Sequence, residues 1–180
     1  MEKTINTQRL VLRPLCEADA ETTHQYAGDV ANTAYMIYLP NKTMDDTKAF
    51  LRRVAEEWAK ENPAFYEFAI LWQGQHIGAV SVSVEDDGAG ELGWILHRDY
   101  QGHGYATEAA EAVKGFAVEK LGLTKLEAHC DQRNAGSVRV MEKLGMVLEK
   151  DSGTRTYSDE RGTVPEYKYA WTAAMAAKGK

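Results

Sequence analysis

The sequence predicts an α/β fold in which helices pack on one mixed, mostly antiparallel sheet, and three observations carry that prediction. The chain has 180 residues, 44% of them apolar, which is enough to bury one sizeable core and short for two. Two runs rich in β-branched and aromatic residues, 65–72 and 76–84, are separated only by Gln73-Gly74-Gln75 and read as a hairpin. From residue 91 onward, strand-like runs and helical 3.6-residue spacing take turns. One domain over residues 1–180 is expected, with 173–180 as a short C-terminal tail.

The elements follow in order. Residues 7–15 set Leu10 and Leu12 against Val11 and Arg13 and close at Pro14, a first strand. Residues 17–27 form a short helix. The 28–43 segment, with Tyr35, Met36, Ile37, Tyr38 and Leu39 before Pro40, either lines a pocket or packs over the core. Thr43, with Asp46 three residues later, caps a helix running to about Lys60, whose apolar face carries Phe50, Leu51, Val54 and Trp58. After the 65–84 hairpin, a turn over 85–90 leads to a strand over 91–97 and a glycine-containing loop over 98–104. A helix over 105–121 shows Ala106, Ala109, Val113, Phe116, Ala117 and Leu121 at helical spacing. A strand over 124–131, a helix over 135–144 closed by Gly145, and a hairpin pairing 146–157 with 165–171 complete about seven strands and about four helices.

Composition excludes several classes of function. Lys plus Arg number 21 against 27 for Asp plus Glu, a net charge of -6 without a run of like charge, which disfavours broad nucleic-acid binding. An acidic surface attracts a cationic substrate, but solubility alone also accounts for it. Cys16 and Cys130 lack the spacing of a zinc or redox motif and read as thiols of a reducing cytoplasm. No metal site is expected. The first residues lack the apolar core of a signal peptide, and no apolar run is long enough to span a membrane, so a cytoplasmic protein without membrane or nucleic-acid partners is expected.

Chemistry concentrates in the stretch from Glu91 to Glu108, where a strand feeds a loop with Gly102 and Gly104 and the loop opens a helix. Unpaired amides of such a loop and of the first helical turn, with the helix dipole, make an anion site; a tight turn that merely needs glycine is the alternative. A nucleotide-triphosphate loop is excluded because Gly104 is followed by Tyr105 and Ala106 rather than Lys and Ser/Thr. A dinucleotide fingerprint would need glycine at Thr107, and the antiparallel strands upstream do not suit it.

Gln101-Gly-His-Gly-Tyr-Ala resembles the Gln/Arg-x-x-Gly-x-Gly/Ala motif of the GNAT superfamily of N-acetyltransferases. The run from Asn134 through Ser137 to Lys143-Leu-Gly145, the opening Thr7-Gln-Arg-Leu-Val-Leu-Arg13-Pro, and His76-Ile-Gly78 resemble its ribosomal-protein N-terminal alanine/serine acetyltransferase branch (RimJ/RimL-like). The resemblance implies the GNAT fold, with the 91–97 and 124–131 strands parallel and splayed to admit coenzyme A, and acetyl-CoA as cofactor. It implies that the loop and helix start (Gln101, Gly102, His103, Gly104, Tyr105, Ala106 and Thr107) hold the pyrophosphate. The backbone of Ile95, Leu96 and His97 would pair with the pantetheine arm and polarise the thioester, while Asn134 and Ser137 also contact the cofactor. A homodimer is compatible with the family.

The implied reaction is direct attack of a neutral primary amine on the thioester within a ternary complex. Glu91 stands where some relatives carry a catalytic base; a solvated strand-end carboxylate is its alternative reading. His97 and His103 are further candidates that serve equally as packing residues. Many relatives use a tyrosine where Met141 stands, so Ser137 becomes the candidate acid, or else a local hydrogen-bonding residue. Cys130 reads as a buried thiol. The expected acceptor is a protein or peptide N-terminal α-amine. A small amine (antibiotic, polyamine or amino acid) and a non-catalytic acyl-CoA-binding module are the alternatives.

Overall fold

The structure, a computed structural model, describes residues 3–38, 40–85, 88–150 and 153–178; Leu39 and the middle of the 85–90 turn lie outside them. Among the described residues nine strands form the sheet: β1 Ile5–Asn6, β2 Leu10–Pro14, β3 Phe65–Trp72, β4 Gln75–Val84, β5 Gly90–Leu96, β6 Lys125–Asp131, β7 Val147–Leu148, β8 Thr154–Thr156 and β9 Thr163–Thr172. Their order is β1-β2-β3-β4-β5-β6-β9-β7, with β8 paired to β9 off that path. The helices are α1 Ala20–Ala27, α2 Met44–Ala59, α3 Tyr105–Glu119, α4 Ala135–Lys143 and α5 Ala173–Lys178.

The expected architecture is present with more pieces than expected. The first strand gains a two-residue partner, β1, because Thr7 turns the chain back, its hydroxyl and amide both bonding the Leu10 carbonyl. The expected 146–157 strand is instead two short ones, β7 and β8, both on β9. The expected C-terminal tail folds as α5 over 173–178. Thr43 caps α2 as the sequence requires, accepting from the Asp46 amide while Asp46 accepts from the Thr43 amide. Gly145 ends α4 in the left-handed region, with the Met146 amide reaching back to the Met141 carbonyl.

The core forms where α3 lies on the central strands. Phe116 meets Tyr66 and Phe68 edge-to-face at 5.3 and 5.4 Å, and Val113, Ala109 and Ala117 are fully buried. The feature that positions the site is the pairing of β5 with β6. These parallel neighbours are in register only at Gly90↔Leu126 and Glu91↔Glu127, and above that they part. The result is a slot closed at Glu91 and open toward the α3 N-terminus, about 16 Å deep at roughly 3.3 Å per strand residue.

One buried acid in this sheet carries a measurable consequence. Glu67 on β3 faces Ser81 on β4, bonds its hydroxyl, and is pushed by burial from 4.5 up to about 8. An acid whose folded pKa is raised holds its proton better in the folded state, so its contribution to stability is full below about pH 4.5 and lost as pH rises through 8. Glu67→Gln keeps the shape without the proton. Differential scanning calorimetry at pH 8 is expected to show it melting above the wild type, by about 2–4 °C per kcal/mol recovered, with the gap closing toward pH 4.5.

Candidate active site

The loop between β5 and α3 is built for close backbone approach. Gly102 and Gly104 sit at φ 81° and 82°, conformations that side chains resist, and Gly104 is the residue before the first helical turn. The first intrahelical bond runs from the Glu108 amide to the Gly104 carbonyl, so the amides at the start of α3 have no helical partner and face outward with the positive end of the dipole.

Arg9, a residue the sequence alone did not single out, braces this loop. Its Nη1 donates to the His103 carbonyl at 3.0 Å, its Nε to Glu108 Oε2 at 2.6 Å, and its guanidinium stacks 4.7 Å from the Tyr105 ring centre. Thr7 Oγ1 completes the clamp on Glu108 at 2.6 Å. The Thr7–Arg9 opening, which reads as a simple strand start, therefore reaches across to hold α3.

A cavity of about 510 Å³ runs from this loop into the slot. Ile95, Leu96, Gln101, Gly102, Gly104, Tyr105, Ala106, Thr107, Asn134 and Ser137 all line it. So do Ala31, Asn32, Tyr35 and Met36, which makes this part of the 28–43 segment a wall of the cavity. Arg98, Arg139 and Lys143 rim it, an arrangement of cations suited to phosphates within a chain of net negative charge. Glu91, His97 and His103 do not line it. His103 is exposed, beside the Tyr105 ring, and His97 caps the short turn after β5 by accepting from the Asp99 amide.

The three backbone positions expected to serve one arm divide by strand geometry. The His97 amide donates to the Ile77 carbonyl, and the Ile95 carbonyl points at β4, where a Cβ on Gly78 would stand 2.2 Å from it. Strand alternation leaves Trp94 and Leu96 with backbone groups on the open edge. The Leu96 carbonyl is held there by Asn32 Nδ2 at 3.0 Å and Gln101 Nε2 at 3.2 Å. Gln101 also donates to Asn32 Oδ1, so its side chain serves the loop rather than a ligand.

On the opposite wall, Asn134 caps α4 by accepting from the Ser137 amide at 3.1 Å, which orients both residues into the cavity. Met141 is fully buried, and Cys130 is a buried thiol pushed by burial up to about 11, which keeps it protonated at neutral pH. Asp131 at the end of β6 accepts both Arg133 nitrogens and the Tyr157 hydroxyl, and the Arg133 pairing holds its carboxyl well below the usual range. Two further arginines tie the 28–43 wall to the last hairpin: Arg155 Nη1 donates to the Tyr35 carbonyl at 3.1 Å and Arg161 Nη1 to that of Ala34 at 2.6 Å.

At the closed end of the slot, Glu91 is exposed as a residue, yet shielding of its carboxyl, followed by repulsion from Glu85, Glu166 and Glu127, raises its pKa against the pull of His129. Among the described residues no helix is long and apolar enough to cross a membrane.

Comparison with known proteins places this geometry. The acetyltransferase (GNAT) domain family matches residues 9–147. The N-acetyltransferase YnaD of Bacillus subtilis is 31% identical over 147 residues, covering 81% of this chain and 83% of the relative. The crystal structure of a GNAT acetyltransferase from Bacillus anthracis superposes with a TM-score of 0.79 at 27% identity, covering 94% and 98% of the two chains. The ribosomal-protein acetyltransferase RimL, solved with coenzyme A, shares the fold at TM-score 0.78 and 18% identity over 94% and 97%. A splayed parallel pair, a loop of exposed amides and a cationic rim are what a CoA thioester requires, and the chain belongs to the GNAT family of acetyltransferases, with acetyl-CoA as its cofactor.

Proposed function

We propose that this acetyltransferase acetylates the N-terminal α-amine of a protein or peptide. The observation that carries the reading is the placement of Glu91. It stands exposed at the closed end of the slot, so an amine can reach it from the sheet face while the rest of a large acceptor stays outside. An α-amine, with an ordinary pKa near 8, is already partly neutral at physiological pH and needs only a modest base.

Acetyl-CoA supplies the thioester carbonyl. The amides from Gly102 to Thr107 and the cations Arg139 and Lys143 would hold its phosphates, with Arg98 at the rim paired to Asp29, and the open edge of β5 at Trp94 and Leu96 would align the arm. A backbone amide on that open edge would donate to the thioester oxygen as negative charge develops there. Glu91, deeper in the slot, would take the proton from the amine through intervening water as the C–N bond forms and the C–S bond breaks. Ser137, across the slot, donates to the departing sulfur. Conformational choice of acceptor rests with the 28–43 wall and the last hairpin, which Arg155 and Arg161 fasten together.

Thiol release from acetyl-CoA, followed on peptides of varied N-terminus, the same peptides with a blocked α-amine, free amino acids, polyamines and aminoglycosides, tests the assignment. Turnover on free but not blocked peptides is expected. Turnover confined to small amines would overturn it in favour of a small-molecule acetyltransferase.

A further inference from the structure

Resting on that reading, we infer that an apolar groove beside the slot receives a large apolar side chain about three residues into the acceptor, which narrows the substrate class to protein or peptide N-termini that carry one there. The groove lies between α2 and the start of β3. Phe50, Val54 and Glu57 share one face of α2 and form one side, with Arg53 at the rim; Phe65 forms the floor and Tyr38 the far edge. Its volume is about 290 Å³, room for one large side chain rather than a whole ligand. Tyr38 is 92% exposed, and Phe50 and Phe65 are only half-buried, so three aromatic rings meet water at one place.

Strand register joins this groove to the slot. Phe65 is opposite Ser83 and Ser83 is opposite Glu91, so the three side chains share one face of the sheet. Two strand spacings, about 10 Å, separate Phe65 from Glu91, a span that an extended peptide covers in about three residues. The floor between them is low enough for a chain to cross. Ser83 is small and half-buried, and in the adjoining row a Cβ added at Gly93 would meet only Ser81 Oγ, at 2.8 Å, with no other neighbour within 4 Å. The wall is continuous as well: Tyr35 and Met36 line the slot, and Tyr38, two residues on, lines the groove. An α-amine seated in the slot therefore presents the residues that follow it to the groove.

Charge at the rim narrows the acceptor further. Glu57 is committed within the chain, its Oε1 accepting from the Ala64 amide at 2.6 Å and its Oε2 pairing with Lys60. Arg53, one turn earlier on α2, is exposed and has no carboxylate partner among the described residues. In a chain of net charge -6, an unpaired guanidinium beside an apolar groove favours an acidic residue next to the side chain that the groove buries. A free amino acid ends short of the groove, and a polyamine brings only positive charge toward Arg53, so the groove serves a peptide and not a small amine.

A serine-rich peptide in which one leucine is moved from the second to the fifth residue tests this through kcat and KM for thiol release, alongside CoA affinity by calorimetry. With leucine at the third or fourth residue, kcat/KM of the wild type is expected to exceed that of the leucine-free peptide by about tenfold or more, through KM, the worth of burying one large apolar side chain. Tyr38→Ala and Phe50→Ala are expected to bring that ratio toward one while turnover of the leucine-free peptide and CoA affinity stay as in the wild type; a general loss of folding would lower both peptides alike. Arg53→Glu is expected to exchange a preference for glutamate beside the leucine for one for lysine. Equal turnover of all the peptides by the wild type, or a leucine preference that survives both alanine variants, overturns the subsite and leaves the N-terminal acetyltransferase reading standing. Turnover of small amines with none of any peptide removes that reading and the subsite together.

Discussion

Gly104→Val is expected to weaken acetyl-CoA binding by more than tenfold while leaving the fold intact. Gly104 holds φ 82° immediately before α3. A left-handed backbone costs an ordinary residue about 1–2 kcal/mol, a β-branched one more, and about 1.4 kcal/mol is tenfold in affinity. The loop can relieve that strain only by rotating its amides away from the phosphates they serve. A Cβ at this position meets only Arg9 Nη2, at 3.5 Å, so crowding is not the cause; the backbone is. Isothermal titration with CoA reads the loss, and circular dichroism confirms the fold. Gly115→Ala is the matched control: it lies within α3 with nothing within 4 Å of a new Cβ, and about 0.5–1 kcal/mol of stabilisation is expected with CoA affinity unchanged. Equal CoA affinity for Gly104→Val and the wild type would remove the loop from the binding site.

Glu91→Gln is expected to reduce kcat by roughly 10² to 10⁴, the worth of a positioned base, with CoA affinity unchanged because Glu91 lies off the cavity that holds the cofactor. The sign of the pH dependence follows from its environment. Shielding and the carboxylates of Glu85, Glu166 and Glu127 raise its pKa, so the wild-type rate falls on the acidic side at a higher pH than an ordinary glutamate would give. In the variant that limb disappears, and the residual rate follows the fraction of neutral amine alone. Stopped-flow or steady-state thiol release across the pH range separates the two cases. A variant with wild-type kcat and an intact acidic limb would reduce Glu91 to a solvated strand-end carboxylate.

Much of the architecture was legible because it is local. Thr43 and Asp46 capping α2, the Gln73-Gly74 hairpin turn and the stop at Gly145 depend on a few neighbouring residues whose backbone preferences survive folding. The loop glycines and Asn134-to-Ser137 fall on the cavity for the same reason: strand, loop and helix start are contiguous, so sequence order already determines which amides are left unpaired. The departures come from pairing partners. Hydrophobic alternation counts runs rather than partners, so it missed the two-residue β1 and joined β7 to β8, strands that exist only because β2 and β9 supply their hydrogen bonds.

Tertiary structure decided the rest. Arg9, though inside the opening motif, and Asn32 reveal nothing of their contacts in the chain, since their partners, His103 and Glu108 for one and Leu96 and Gln101 for the other, lie from 64 to 99 residues away. Which of Ile95, Leu96 and His97 offers an amide to the slot follows from strand register, and His97 is excluded by its bond to Ile77. Glu91, Glu127 and Glu166 come from three strands, β5, β6 and β9, and the pairing of those strands sets them at one end of the slot. The sequence by itself carried the motifs that resemble the acetyltransferase family and determined the glycine loop before α3, because the conformation of such a loop is encoded by nearby residues. What surrounds Glu91 was decided only in three dimensions, because electrostatic coupling depends on distance through space, which the order of residues along the chain does not specify.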